Sequence, residues 1–346
     1  MGRNSRAGGV SGVQKLGSPT GYGTLIVEKR PNIGNCRAAR TPLVTITFVV
    51  EILRLNRLST STIFSTWCAE LLNFELLPML NRIDTKFADL KRDRRSAFVV
   101  YIAGGDPTLE KTVEIAVSLE RAGVDLLEIG VPFSDPLADG LANQLGAQRA
   151  LNAGATLPKL LRSISQMRAQ TTIPLVLYSY VNPIFQYGFN RFESDALAAG
   201  IDGILLLDLP PEENLDSDHA HLIHRIRLIA PTTTENRIQP IIDRASGFVY
   251  YVSREGVTGE RADIPASIPD QLGRIRRYTK LPIVVGFGIS NPAQAAQVAA
   301  WADGVVMGSA IVRKIGALGN DPEIGRKLEE FVSPLAEAVH GVVKRA

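Results

Sequence analysis

The chain has 346 residues, with 38 Lys and Arg against 35 Asp and Glu, a hydrophobic fraction of 45% and 2 cysteines. This composition is ordinary for a folded globular protein, and it excludes collagen-like, wholly disordered and disulfide-rich secreted chains. The longest largely apolar run, residues 42–50, is much shorter than the roughly 18 residues of a membrane span, so the sequence predicts no transmembrane segment.

Residues 1–78 differ in charge from the rest of the chain. They carry 9 basic against 4 acidic residues, whereas residues 79–346 carry 29 against 31. The larger part has no Lys/Arg cluster interleaved with aromatic residues, which argues against nucleic-acid binding. Both cysteines, Cys36 and Cys68, lie in the basic part, so residues 79–346 cannot form a disulfide framework.

We interpret residues 1–78 as an N-terminal extension that is disordered or not part of the native protein. Its first 48 residues show neither a helical stripe nor a rhythm of strands and turns. A natural start of the protein at Met79 explains the missing patterns best. A disordered tail and an organelle transit peptide, which is Arg-rich, Ser-rich and acid-poor, are the alternatives. Residues 79–346 are predicted to form one domain.

From Ala97 onward, short apolar or β-branched runs alternate with amphipathic segments of helical period, which indicates repeated βα units. In residues 108–121, for example, Leu109, Val113 and Ala116 recur on one helical face. A last helix is predicted over residues 321–345. The strand candidates are residues 98–102, 126–129, 175–178, 203–207, 227–229, 248–252, 283–285 and 304–307.

Eight βα units predict an α/β fold, a closed (β/α)₈ TIM barrel with an N-terminal extension, because parallel strands need crossovers that cover the sheet. The alternative is an open doubly wound sheet. That fold favours a G-x-G-x-x-G turn after its first strand, and residues 104–107, Gly-Gly-Asp-Pro, lack this spacing.

Two carboxylates near the second predicted strand are candidates for acid–base chemistry. Glu128 lies at the end of an apolar strand, where burial raises the pKa of a carboxyl group, as a general acid requires. Asp139 follows in a loop shaped by Pro132, Pro136 and Gly140. Alternatively, Glu128 forms an ion pair with a helix and Asp139 caps a turn.

Glycine turns after the last three predicted strands favour a phosphate site. They are residues 256–259, residues 286–290 and Gly308-Ser309. Glycines let backbone N–H groups approach an anion, and a helix that begins near Ser309 adds its N-terminal dipole. The loops after the last strands of a barrel are a common phosphate site.

Other polar clusters are weaker candidates. His219, His221 and His224 do not share one helix face and no cysteine or carboxylate pattern completes a metal site, so we expect a solvated helix face. Tyr178, Tyr180 and Tyr250 either line a pocket for a flat aromatic ligand or fill the barrel.

Four motifs follow one another in the chain: Gly-Gly-Asp-Pro at residues 104–107, FSDPLADG at residues 133–140 after Glu128, SREGVTG at residues 253–259 and GFGIS at residues 286–290. With these motifs the sequence closely resembles the tryptophan synthase alpha chain family, and the resemblance runs from about Asn81 to the C-terminus. It implies a barrel lyase of tryptophan biosynthesis that cleaves indole-3-glycerol phosphate to indole and glyceraldehyde 3-phosphate. It also implies a cytoplasmic α₂β₂ heterotetramer in which only the beta chain carries a cofactor, pyridoxal phosphate, and in which this chain holds no metal.

The resemblance also implies roles for residues. Glu128 matches the general acid/base that protonates indole C3 and handles the glycerol hydroxyl proton, and Asp139 matches the carboxylate that takes up the indole N–H. The implied substrate pocket comprises Tyr101, Tyr180, Tyr250 and Thr258, and the implied phosphate-binding residues are Gly259, Gly288, Gly308 and Ser309.

The sequence departs from the family after Gly140, where Leu141 replaces the usual proline and Asn143 replaces an apolar residue. We expect these changes to loosen the loop that carries Asp139. Two other hypotheses therefore remain: an inactive chain that serves its partner only, and another phosphate-binding barrel, such as a sugar-phosphate isomerase. The second would not need the segment from Glu128 to Asp139.

Overall fold

The structure is a computed structural model that describes residues 13–17, 23–27, 81–213, 222–253, 264–286 and 288–344. The chain divides into two units, Met1–Leu77 and Pro78–Ala346. In the first, strands β1 (Val13–Gly17) and β2 (Gly23–Val27) pair antiparallel, with Val13 opposite Val27. The sequence analysis predicted no strands there.

In the second unit, eight described strands form a closed parallel barrel in the order β10-β3-β4-β5-β6-β7-β8-β9. The predicted (β/α)₈ barrel is confirmed, and the open sheet is excluded. The barrel strands are β3 (Ala97–Ala103), β4 (Leu126–Gly130), β5 (Leu175–Ser179), β6 (Gly203–Leu206), β7 (His224–Ile229), β8 (Val249–Val252), β9 (Ile283–Gly286) and β10 (Gly304–Met307).

Helices cover the outside of the barrel. Within the described residues they are α1 (Arg82–Arg92), α2 (Leu109–Arg121), α3 (Leu141–Asn152), α4 (Leu157–Arg168), α5 (Val181–Tyr187), α6 (Phe189–Ala199), α7 (Glu235–Ile242), α8 (Ile268–Arg276), α9 (Pro292–Ala299), α10 (Ser309–Leu318) and α11 (Ile324–His340). None of these helices is long and apolar enough to span a bilayer.

Local signals in the sequence explain where the helices begin. The Thr108 side chain accepts a hydrogen bond from the N–H of Lys111 at the start of α2, and Asn291 does the same for Gln294 at the start of α9. The helix predicted over residues 321–345 is α11, which ends at His340. The fifth barrel strand, β7, begins at His224, three residues earlier than predicted.

The core has two layers that the strand alternation separates. One cluster fills the barrel and includes Val99, Leu126, Val176 and Phe248, whereas a larger cluster packs the outer strand faces against the helices. Because alternate residues of a strand share a face, the inward positions above these four are Tyr101, Glu128, Tyr178 and Tyr250. These four side chains thus lie above a layer of packed apolar residues inside the barrel.

Candidate active site

Glu128 lies inside the barrel on β4, directly opposite Tyr101 of β3 in the strand register. The residue is 1% exposed, and Oε1 is buried without a hydrogen-bond partner. Burial raises the pKa of Glu128 to about 8. The ion pair considered as an alternative is not found among the described residues, so the carboxyl group is available for proton transfer.

Asp139 lies in the loop between β4 and α3, and it is 5% exposed. Tyr180 Oη donates to Asp139 Oδ2 at 2.9 Å, while Tyr178 Oη and Asn143 Nδ2 donate to Oδ1 at 3.3 and 3.2 Å. Burial raises the pKa of Asp139, and the three donors partly offset this by favouring the carboxylate. The polar side chains hold Asp139 over the barrel mouth.

The backbone of this loop is fixed by two further contacts. The N–H of Ala138 donates to Tyr180 Oη at 2.9 Å, and Gln144 Nε2 donates to the backbone oxygen of Asp139 at 2.8 Å. Asn143 and Gln144 therefore tie the start of α3 to Asp139. These contacts do not support the expected loosening, although Leu141 does begin the helix in place of proline.

The four predicted tyrosines line the same space. The rings of Tyr101 and Tyr178 meet edge-to-face with centroids 4.9 Å apart, and Phe133 packs 5.4 Å from Tyr180. Tyr250 follows Phe248 on the inner face of β8 and is partly exposed. The tyrosines form an aromatic wall around the two carboxylates.

Glycines at the strand ends make room for these rings. A Cβ at Gly130 would lie 2.2 Å from Tyr101 Oη, and one at Gly286 would lie 2.0 Å from Tyr250 Oη. The glycine of a strand thus accommodates the tyrosine of the preceding strand, at β4 and again at β9. A larger residue would displace the ring into the site.

The predicted phosphate residues lie partly within the described residues. Gly308 is the N-cap of α10 and Ser309 its first residue, and no side chain caps this helix. The N–H groups of the first turn of α10 therefore have no partner within the helix and none from the N-cap residue. Gly288 has φ +75°, a conformation that favours glycine. Thr258 and Gly259 lie outside the described residues.

The histidine prediction is wrong at His224. This residue begins β7, its side chain is 17% exposed, and Nε2 lies 2.9 Å from Asp84 Oδ2, so it belongs to a strand and not to a solvated helix face. His219 and His221 lie outside the described residues. Among the described side chains no group of three or more could hold a metal ion.

The sequence analysis missed the contacts of Asn143 and left the role of Tyr178 undecided. Two signals pointed to them. Tyr178 is two residues before Tyr180, the spacing that puts side chains on one side of an extended chain, and Asn143 is four residues after Asp139, the spacing of neighbours on a helix. The periodicities identify proximity, but only the closed barrel shows that both side chains reach one carboxylate oxygen.

A closed (β/α)₈ barrel with two buried carboxylates at its C-terminal mouth defines a barrel enzyme of acid–base chemistry. Comparison with known proteins narrows the class. The family model of the tryptophan synthase alpha chain matches residues 87–340, so the chain belongs to this family. Its reaction is the retro-aldol cleavage of indole-3-glycerol phosphate, the alpha reaction of tryptophan biosynthesis.

Relatives and solved structures agree with this assignment. The tryptophan synthase alpha chain of Geobacter sulfurreducens is 49% identical over 263 residues, 75% of this chain and 99% of the relative, and that of Geotalea daltonii is 48% identical over 264 residues, with coverages of 75% and 99%. A Mycobacterium tuberculosis tryptophan synthase structure superposes with a TM-score of 0.69 at 32% identity, covering 75% of this chain and 98% of that one. Tryptophan synthase subunit alpha from Legionella pneumophila superposes with a TM-score of 0.67 at 35% identity, with coverages of 76% and 100%.

Proposed function

We propose that Glu128 and Asp139 divide the proton chemistry of the alpha reaction in this chain. The observation that carries the proposal is the contrast between their environments: Glu128 is buried with an unpartnered oxygen, whereas Asp139 is buried among three donors. A pair of carboxyl groups in different environments can hold different protonation states at one pH.

Glu128, with a pKa of about 8, is protonated at neutral pH and donates its proton to C3 of the indole ring. Protonation makes the ring an electron sink. The glycerol hydroxyl next to the ring then loses its proton to the Glu128 carboxylate, the carbon–carbon bond breaks, and its electron pair returns to the ring. Indole and glyceraldehyde 3-phosphate leave, and Glu128 is again protonated, so the protons balance.

Asp139 accepts the indole N–H and stabilises the positive charge that develops on the ring nitrogen after protonation at C3. Tyr101, Tyr180, Tyr250 and Thr258 shape the indole pocket. The uncapped start of α10, with Gly308 and Ser309, binds the phosphate together with Gly259 and Gly288. Phosphate binding supplies energy far from the reacting bond.

The chain needs no cofactor or metal of its own, because carboxyl groups suffice for the proton transfers. We place pyridoxal phosphate in a beta chain that joins this chain in a cytoplasmic α₂β₂ heterotetramer. Exposed leucines beside Asp139 support a partner at this mouth: Leu137 is 89% exposed, Leu141 67% and Leu145 50%. Residues 79–346 form the catalytic domain, and residues 1–78 are dispensable for the reaction.

Indole release from indole-3-glycerol phosphate by the purified full chain, with and without a beta chain, tests the function. We expect slow release that the beta chain accelerates. Glu128→Gln should lower kcat by about 10²-fold or more while substrate binding persists. Near-normal turnover of this variant would refute the role of Glu128, and release by residues 79–346 equal to that of the full chain would support the domain boundary.

A further inference from the structure

The two oxygens of the Asp139 carboxylate have different numbers of donors. Oδ1 accepts from Asn143 Nδ2 and from Tyr178 Oη, whereas Oδ2 accepts from Tyr180 Oη. A carboxylate oxygen has about two lone-pair sites. Oδ1 is therefore saturated, and Oδ2 keeps one site for another donor.

We propose that Asn143 and Tyr178 are positioning residues that occupy Oδ1 of Asp139 and so keep the carboxylate ionised, with Oδ2 left for the N–H of the substrate. The proposal rests on the proposed role of Asp139. The two donors come from different elements, Asn143 from helix α3 and Tyr178 from strand β5, and together they tie the loop to the barrel wall.

Asn143 is not explained by packing alone. The residue is 8% exposed, and its Oδ1 is buried without a hydrogen-bond partner. A buried, unpartnered acceptor is destabilising, and an apolar residue of similar size would avoid that cost. The chain keeps a polar residue at this position, and the contact it gains is the one to Asp139.

The orientation of the amide follows from its partner. A carboxylate can only accept, so Nδ2 and not Oδ1 of Asn143 must face Asp139. Donors to a carboxylate favour its ionised form, which is the form that can accept the indole N–H. Loss of either donor should therefore raise the pKa of Asp139 above its already raised value.

Other titratable groups act on the same carboxylate and must be kept constant in any test. Four strands bring these groups to the pocket: β3 carries Tyr101, β4 Glu128, β5 Tyr178 and β8 Tyr250, and Tyr180 follows β5. The tyrosines that interact electrostatically with Asp139 are Tyr101, Tyr178, Tyr180 and Tyr250, and Glu128 interacts with Tyr101 and Tyr250. Of these, Glu128 is the group we expect to titrate near pH 8, so it sets the alkaline limb of activity and Asp139 the acidic limb.

The test compares pH profiles of kcat/KM for indole release by the full chain and by Asn143→Leu, Tyr178→Phe and the double variant. Tyr178→Phe keeps the ring that packs against Tyr101. We expect each single variant to lose roughly 10-fold in kcat/KM on the acidic limb, because a hydrogen bond to a charged group is lost. The loss should shrink towards the optimum, and the alkaline limb should not move.

Gln144→Leu is the matched control. Gln144 is the neighbouring amide on the same helix, but it donates to the backbone oxygen of Asp139 and not to the carboxylate. This variant should change kcat/KM by the same factor at every pH. Asn143→Leu should also unfold at or above the temperature of the parent chain, since it removes a buried unpartnered acceptor, and Asn143→Gln should restore part of the acidic limb.

A loss that is equal at all pH values in Asn143→Leu and Tyr178→Phe, or an acidic limb that moves as much in Gln144→Leu, would overturn the proposal. Asp139→Asn separates this failure from that of the proposed function. If Asp139→Asn keeps its activity, the role of Asp139 itself is wrong; if it loses activity while the acidic limb of the other variants stays fixed, only the positioning role is wrong.

Discussion

The two ends of the barrel use carboxylates in opposite ways. At the end where the strands begin, Asp125, Asp202 and Asp303 each stand just before a strand, and each accepts the N–H of a residue in the preceding strand. The same strand residue accepts the N–H of the aspartate in return. At the end where the strands finish, Glu128 and Asp139 have no cation beside them among the described residues.

Each aspartate at the first end also has a cationic partner. Asp202 lies 2.6 Å from Arg168 and 2.8 Å from Arg82. Although burial alone would raise the pKa of Asp125, the hydrogen bonds from His340 and the N–H of Phe98 hold that pKa below its usual range. Carboxylates paired with cations fasten strands together, whereas a buried carboxyl group without a cation, such as Glu128, holds a proton that it can exchange.

Asp202→Ala tests the contrast between the two ends with the largest expected effect. The change removes the carboxylate that pairs with Arg168, whose side chain is 11% exposed, and frees the N–H of Leu175. We expect the free energy of unfolding to fall by about 3–5 kcal/mol, the usual effect of breaking a buried ion pair. Urea denaturation at pH 7 measures it.

The exposed pair of Arg92 and Asp89 gives the control for that experiment. Both side chains are at least half exposed, so Asp89→Ala should change stability by less than about 0.5 kcal/mol. Indole release per folded molecule should be unchanged in Asp202→Ala. Equal effects of the two substitutions would show that the aspartates at this end do not fasten strands.

At the opposite end of the barrel, the test is the pH dependence of the stability of Glu128→Gln. A raised pKa means that the folded state holds the Glu128 proton more tightly than the unfolded state does. The contribution of Glu128 to the free energy of unfolding is therefore fully present below about pH 4.5 and is lost as the pH rises through about 8. Glutamine does not titrate, so the variant should be more stable than the parent chain at pH 8 by about 4 kcal/mol. The two denaturation midpoints should converge near pH 4.

A variant that is no more stable than the parent at pH 8 would mean that Glu128 is ionised and solvated in the folded chain. Its predicted role as a general acid at neutral pH would then lose its physical basis.

The sequence predicted the barrel well because the signals are periodic and repeated. Eight apolar strands separated by amphipathic segments leave few topologies, and the order of the closed barrel follows the order of the chain. The start of β7 was misplaced because His224 is polar. Its burial depends on Asp84 of α1, a contact across 140 residues that no local pattern reveals.

The sequence identified Glu128 and Asp139 as candidates, but it did not predict the hydrogen bonds that surround Asp139. Glu128 stood out as a carboxyl group in an apolar strand, and the motif around Asp139 carried the resemblance. The pairing of Asn143 with Tyr178 on one oxygen depends on a helix and a strand that meet only in the folded barrel. The roles of these side chains remain predictions for the experiments above.

The same substitution, glycine to alanine, can be made at both ends of the barrel to compare them. A Cβ at Gly130 would meet Tyr101 Oη at 2.2 Å, and a Cβ at Gly203 would meet the Cδ1 atom of Ile226 at 2.6 Å. We expect Gly130→Ala and Gly203→Ala each to cost about 1–3 kcal/mol by overpacking. Only Gly130→Ala should raise the KM for indole-3-glycerol phosphate, since only it moves a ring of the pocket. An equal KM change in both variants would contradict the division between the ends.

The smallest expected effect is the acid sensitivity that Asp125 confers. Folding lowers the pKa of Asp125 below about 4, the usual value in an unfolded chain. The contribution of Asp125 to the free energy of unfolding is therefore present above about pH 4 and is lost as the pH falls through the pKa of the folded state. Asp125→Asn keeps the size and an acceptor for the N–H of Phe98 but removes the charge that faces His340 and Lys86. We expect this variant to be about 1 kcal/mol less stable at pH 7 and its stability to fall less steeply below pH 4. Urea midpoints between pH 3 and 7, beside Asp89→Asn as the exposed control, measure both effects; parallel curves for the variant and the parent would show that the charge of Asp125 does not fasten this end of the barrel.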